Sequence, residues 1–209
     1  MTIGSTVKKA TIRVCRRIKG WGRGCAFTAK DFADIANRGS IDVALSLLAK
    51  TGTIRRIMRG IYDYPKYSKL LNKHLTPDYH EITKAYARSI GAKIRKPGAV
   101  AANLLGLTEQ VPAKLIYISS CRSKVLNIAG RKVFLKNAAP RNFLGDEKTR
   151  MVISALQFLG KDGVSADTIK RLKTLLSARE RKRLLKMAKY EKSWIASAAL
   201  SVLEETSHG

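Results

Sequence analysis

The hydrophobic pattern predicts an α+β chain in three parts: a helix-and-hairpin module over residues 1–65, a mixed α+β region over 66–145 and a helical segment over 146–209. Three observations carry this. Apolar spacing switches between three-to-four and two along the first two parts, so helices and strands interleave. A glycine-centred hairpin, Thr53–Met58 and Ile61–Pro65 about Gly60, closes the first part. Beyond residue 146, four apolar-striped segments with polar caps follow one another without a strand pattern between them.

Taken in order, residues 5–19 place Val7, Ala10, Ile12, Val14, Cys15 and Ile18 near one helix face, and Gly20–Gly24 ends that helix. Cys25-Ala26-Phe27 reads as a short strand. Thr28 caps a helix with Asp31 as its capping-box partner, and Phe32, Ile35 and Ala36 form its apolar side. Asn37-Arg38-Gly39 is a tight turn. Ser40 then caps a helix with Ile41, Ala44, Leu45, Leu47 and Leu48 inward, and Gly52 ends it. The hairpin follows at once.

Helix, strand, helix, tight turn, helix, hairpin is the order of a winged helix-turn-helix. The second helix of the pair would lie in a major groove, its N-terminal end nearest the bases. Its length of roughly 16 Å spans a groove about 12 Å wide. The exposed candidates for DNA contact are Arg38, Ser40, Val43, Ser46 and Lys50, with Asp42 read as a carboxylate favoured by the helix dipole. Arg55, Arg56 and Arg59 crowd the hairpin, where they would meet phosphate or a narrow minor groove. Trp21 and Phe27 read as core.

The second part begins after Pro65. Tyr67–Leu71 reads as a linker strand or turn. Thr76-Pro77-Asp78 starts a helix running to Gly91, and Ala92–Lys96 alternates as a strand. Pro97-Gly98 turns into a short helix, Ala99 to Leu105. Residues 114–119, 124–128 and 132–136 read as three strands, with Gly130 in the last turn. A basic surface of Lys93, Arg95, Lys96, Lys114, Arg122, Lys124, Arg131, Lys132 and Lys136 is expected here, five of them (Lys114, Lys124, Arg131, Lys132 and Lys136) on one outer sheet face. In the third part the helices cover Glu147–Leu159, Ser165–Leu176, the Ser177/Glu180 capping box onward, and Ser193–Leu203. The apolar helix around Trp194–Leu203 reads as a core helix ahead of a dimer contact.

Charge narrows the partners. The 209 residues carry 41 Lys+Arg against 15 Asp+Glu, a net +26. The three parts contribute net +9, +12 and +5. Such an excess repels itself in isolation and points to a polyanionic partner. No apolar run is long enough to span a membrane. The charged N-terminus is unlike a secretory signal, so the expected compartment is the cytoplasm. Cys15, Cys25 and Cys121 have no CxxC spacing, and His74, His80 and His208 are scattered, so neither a disulfide framework nor a metal site is expected. Nucleotide-binding and zinc-protease motifs are missing, and no cofactor is expected. Asp78, His80 and Glu81 form the one compact acid/histidine cluster; with no nucleophile beside it, the first turn of a helix explains it better than catalysis does. The chain is expected not to be an enzyme.

Three segments, KGWGRGCAFTAKDF, SIDVALSLLAKTGTIRRIMRGIYDYPKYSKLL and TPDYHEITKAYARSIGAKIRKPGAVAANLLGLTEQVPAKLIYISS, together resemble the AbiEi-type antitoxins of bacterial type IV toxin–antitoxin systems. GRKVFLKNAAPRNF and ERKRLLKMAKYEKSWI also fit, so the resemblance spans roughly residues 18–195. Gly52 to Arg56 and Gly60 to Pro65 match the family's helix end and wing. Pro97, Gly98, Ala101, Asn103, Leu104, Gly106 and Pro112 match its second-domain motif. Cys121-Arg122-Ser123 departs from it. The resemblance implies an N-terminal winged helix that represses its own operon and a C-terminal region that neutralises a nucleotidyltransferase-like toxin. The partners expected are therefore promoter duplex DNA and the cognate toxin, with a homodimer matching a palindromic site. A different reading, a basic RNA- or ribosome-associated binding protein, rests on the +12 of the middle part.

Overall fold

The computed structural model describes residues 3–204 as an α+β chain. Glu205 and His208 lie outside the described residues. The chain divides into two compact units: residues 1–93 with 125–133, and residues 94–124 with 134–209. Each is built here by itself.

In the first unit, α1 (Ile3–Trp21) buries Ala10, Val14 and Ile18. Ile12, expected on that face, is exposed, because it lies off the buried 10-14-18 row. β1 (Ala26–Thr28) is buried throughout. The helix expected after Thr28 is a single 3-10 turn, Ala29–Phe32; the Asp31 carboxylate accepts from the Thr28 N–H at 2.8 Å and holds the turn as the capping-box pattern predicts. α2 (Arg38–Lys50) starts two residues before the cap expected at Ser40. Asn37 is the cap, its side-chain oxygen accepting from the Ser40 N–H at 2.9 Å. α2 buries Ile41, Ala44, Leu45 and Leu48, while Leu47, expected inside, faces out. Gly52 follows with φ 70° and closes the helix.

β2 (Arg55–Met58) and β3 (Ile61–Asp63) form the expected hairpin, with Gly60 at φ 76° in its turn and a register shift between Arg56 and Met58. β3 is the centre of an antiparallel three-stranded sheet in the order β1-β3-β2. Phe27, Phe32 and Ile54 join the α1–α2 faces in one core; Phe27 and Phe32 meet edge to face at 5.6 Å. Trp21 lies over both but remains half exposed.

The segment read as a linker folds into a second hairpin, β4 (Tyr67–Ser68) and β5 (Lys73–His74). α3 (Tyr79–Ser89) begins at an Asp78 cap rather than at Thr76. It packs against β1 and β3. Arg88 donates to the Ala26 carbonyl at 3.0 Å and pairs with Asp31, and the Lys30 ammonium donates to the Ser89 carbonyl at 2.6 Å. These ties explain why the first unit runs on to Lys93, past the boundary expected at residue 65.

In the second unit, α4 (Gly98–Leu104) packs against α5 (Glu147–Leu159). A methyl group at Gly98 would sit 2.4 Å from the Ser154 carbonyl, so only glycine permits this approach. α6 (Ala166–Leu175), α7 (Ala178–Ala188) and α8 (Ser193–Leu203) complete a helical core around Leu156, Leu172, Leu184, Ile195 and Ala199. The Ser165 cap and the Ser177/Glu180 capping box form as expected. Since α4 shares this core, the division expected at residue 146 does not follow the packing.

β6 (Ile94–Arg95), β7 (Leu115–Ser119), β8 (Lys124–Ile128) and β9 (Arg131–Asn137) form a four-stranded sheet in the order β6-β7-β9-β8. The tip of the β8–β9 hairpin, residues 125–133, counts with the first unit and its base with the second. Among the described residues, no helix is long and apolar enough to cross a membrane.

Candidate nucleic-acid interface

The exposed side of α2 is set by the cap at Asn37. With Ile41, Ala44, Leu45 and Leu48 turned inward, the 3.6-residue period leaves Arg38, Asp42, Val43, Ser46, Leu47 and Lys50 outward. Ser40 is half-buried, its N–H bound to Asn37. The Arg38 guanidinium donates to Asp42 at 2.8 Å, one turn along. An exposed pair of this kind contributes about 0.3–0.5 kcal/mol, little enough for a phosphate or a base to displace. Leu47 was missed in the sequence because leucine was assigned to the core; it extends an exposed apolar strip with Val43.

The three hairpin arginines separate. Arg56 and Arg59 are exposed, Arg59 in the turn itself. Arg55 is not at the tip. It stands opposite Asp63 in the ladder, donating from Nε at 3.0 Å and from Nη2 at 2.6 Å to the two carboxylate oxygens. Its Nη1 donates to the Leu75 carbonyl at 2.9 Å. The Asp63 side chain is only 3% exposed, so Arg55 neutralises a buried carboxylate, and three of its five N–H donors are engaged within the protein. The structure thus gives Arg55 a structural role in the ladder, away from the hairpin tip where it was expected.

A hollow beside Arg56 is lined by Ile54, Arg56, Ile57, Pro65, His74 and Ala129. The second hairpin therefore adjoins the first one's strand, and it adds exposed Lys66, Lys69, Lys73 and His74, none of which the sequence reading included. A second bidentate pair, Arg17 with Asp34 at 2.6 and 2.7 Å, holds that carboxyl down at about 2. It fixes α1 against the 29–36 segment.

The basic surface expected of residues 93–136 is not one surface. Lys93, Arg131 and Lys132 belong to the first unit; Arg95, Lys96, Lys114, Arg122, Lys124 and Lys136 belong to the second. In β9 the period of two buries Val133 and Leu135 and turns Lys132 and Lys136 the other way, whereas Arg131 shares the parity of the buried residues and lies over the Tyr79 ring at 5.7 Å. Lys124 likewise shares the parity of buried Leu126 and Ile128. The five residues expected on one face thus divide between two. Arg95 is half-buried, and its guanidinium is engaged within the second unit. It donates to the Asn142 and Arg150 carbonyls and the Ser154 hydroxyl, and burial together with nearby Arg150 pulls its pKa down to about 10. Lys114, Arg122 and Lys136 are exposed, and Lys96 is half-buried.

Elsewhere, Asp78 caps α3 through the His80 and Glu81 N–H groups, so the acid/histidine cluster is spent on a helix start. The three thiols are free, and burial pushes that of Cys25 up. Among the described residues no three His, Cys, Asp or Glu side chains gather as a metal site would require.

Residues 13–184 match a family described as a family of unknown function, DUF6088. The chain belongs to that family. The matched stretch takes in α2, both hairpins and α3 to α6 whole. DUF6088 is defined without an activity, so membership assigns no chemistry to these elements. No curated protein matches the chain significantly. Among solved structures, the RV2827C protein of Mycobacterium tuberculosis is similar at 15% identity and TM-score 0.43, over 95% of this chain and 76% of that one.

Proposed function

We propose that this DUF6088 protein is an AbiEi-like antitoxin: a winged helix-turn-helix at its N-terminus binds promoter DNA and represses its own operon, and the remainder neutralises a nucleotidyltransferase-like toxin. It acts by binding, not by catalysis. The observation that carries the DNA half is the outward face of α2, where Arg38, Val43, Ser46, Leu47 and Lys50 run along one side of a capped helix followed directly by a hairpin presenting Arg56 and Arg59. In this reading α2 enters the major groove, and Arg56 and Arg59 take phosphates. The toxin half rests on the sequence resemblance of residues 97–119.

Two experiments test it. A mobility-shift titration uses DNA from immediately upstream of the reading frame. Arg56→Ala should weaken binding to all sequences and flatten the salt slope by about 0.9. Ser46→Ala or Arg38→Ala should change sequence preference by about 1–3 kcal/mol at one base pair. No shift at low salt refutes the regulator half. Co-expression with the neighbouring nucleotidyltransferase gene tests the other half: growth arrest that this chain does not relieve refutes it. A preference for structured RNA over duplex DNA in competition would replace the reading with the RNA-binding one.

A further inference from the structure

The β4–β5 hairpin carries the most exposed large apolar residue of the first unit at its tip. Leu70 is 94% exposed and its neighbour Leu71 54%. Two adjacent leucines in water are costly to keep relative to burial. The tip is also braced. The Tyr67 hydroxyl donates to the Asn72 side chain, Leu71 N–H donates to Ser68 Oγ at 3.2 Å, and the Tyr67 ring meets His74 edge-on at 5.4 Å. Asn72 sits at φ 45°, a conformation asparagine tolerates better than most residues. This is a preorganised projection, not a loose loop.

Charge indicates the partner. Lys69 and Lys73 flank the turn that carries the leucines, Lys66 and His74 stand at the hairpin base, all four are exposed, and no acidic residue occurs between Asp63 and Asp78. An apolar pair flanked by lysines fits a polyanion with an apolar interior, and stacked bases beneath phosphates have that character. From its Tyr67–His74 base the hairpin has two residues of strand on each side, at about 3.4 Å per residue, before the turn that carries the leucines, and its tip meets a minor groove about 6 Å across. His74 shares the hollow with Arg56, so the projection rises beside the hairpin already assigned to phosphate contact.

We infer that the Leu70-Leu71 tip is a minor-groove wedge: it inserts at a flexible base step, unstacks it and kinks the duplex, while Lys66, Lys69 and Lys73 hold the flanking phosphates. This rests on the DNA-binding reading and adds a bend to it. The deformation energy makes flexible TA or CA/TG steps preferred at a place no α2 side chain reads.

The test uses the full chain and a 30-base-pair duplex from its upstream region, with 2-aminopurine at a central TA step and an energy-transfer pair at the ends. The wild-type chain should raise 2-aminopurine fluorescence about twofold and shorten the end-to-end distance as a kink of roughly 20–90° requires. Leu70→Ala/Leu71→Ala should abolish both signals while retaining binding within about tenfold, and should shift the preference away from TA. Val111→Ala, which trims an exposed apolar residue of the second unit, should leave all three readouts unchanged. Binding without a fluorescence rise, or a rise that survives in the double variant, overturns the wedge and leaves DNA binding standing. No binding by the wild type at low salt overturns both. Binding to phosphatidylserine vesicles that the leucine variant loses, with DNA signals unchanged, overturns the wedge in favour of a lipid contact.

Discussion

Arg55 and Arg56 are adjacent, equally charged and on the same strand, yet their loss should have opposite consequences. Arg55→Ala removes three donors at once. Asp63 is left as a buried carboxylate without its counter-charge, and the Leu75 carbonyl loses its donor. Breaking a buried pair costs about 3–5 kcal/mol; with the Arg55 side chain 30% exposed, water can re-enter and about 2–3 kcal/mol is the better figure. For a unit of about a hundred residues, each kcal/mol lowers Tm by about 4–8 °C, so a drop of roughly 10–20 °C is expected. Arg56→Ala should shift Tm hardly at all, within about 0.5 kcal/mol, because the side chain is exposed. Its effect falls on DNA affinity and salt slope. The assay is thermal unfolding beside salt-dependent binding of the two variants, with Arg55→Ala/Asp63→Asn as a third. Removing the stranded charge should recover about 1 kcal/mol or more. An Arg55→Ala protein with unchanged Tm, and with DNA binding weakened as much as by Arg56→Ala, would refute the assignment of Arg55 to structure.

Other outcomes follow from the same geometry. Asp42→Asn frees Arg38 and removes a negative charge from the side of α2 proposed to face DNA, so affinity for duplex DNA should rise roughly threefold to tenfold in a low-salt mobility shift. Glu180 accepts from the Ser177 N–H and pairs with Lys148, which brings its pKa from 4.5 down to about 2. A depressed carboxyl stabilises above its unfolded pKa, and that contribution is lost as pH falls through about 2. Glu180→Gln should therefore remove the component of acid unfolding that runs between 4.5 and about 2, read by circular dichroism. Gly98→Ala drives a methyl into the Ser154 carbonyl and should cost the second unit about 1–3 kcal/mol in denaturant unfolding.

How much of this was legible in the sequence depends on the range of the interaction. Caps are local, so Ser165 and the Ser177/Glu180 box could be placed directly, and the hairpin about Gly60 was plain from its turn glycine. Ser40 reads as the α2 cap, yet Asn37, three residues earlier, is an equally good one, and either start turns Ile41 inward, so the apolar pattern does not choose between them. Strands of two residues carry no period, so β4–β5 passed for a linker. The Arg55–Asp63 pair did leave a signal: the two lie almost symmetrically about the Arg59-Gly60 turn, where an antiparallel ladder brings opposite charges face to face. Arg95 left none, since its acceptors at Asn142, Arg150 and Ser154 are about fifty residues away in the chain.

The β8–β9 hairpin, with its tip counted in one unit and its base in the other, restricts how functions can be mapped. The polypeptide leaves the first unit at residue 93, re-enters it at 125 and leaves again at 134. No single cut in the gene returns either half intact: a fragment ending at 93 lacks nine residues of its own unit, and one starting at 94 carries them as an orphan. Truncation or a chimera, the usual route for separating a proposed DNA-binding activity from a proposed neutralising one, would divide a compact unit. The two proposed activities are better separated by point substitutions such as Arg56→Ala in the 209-residue chain.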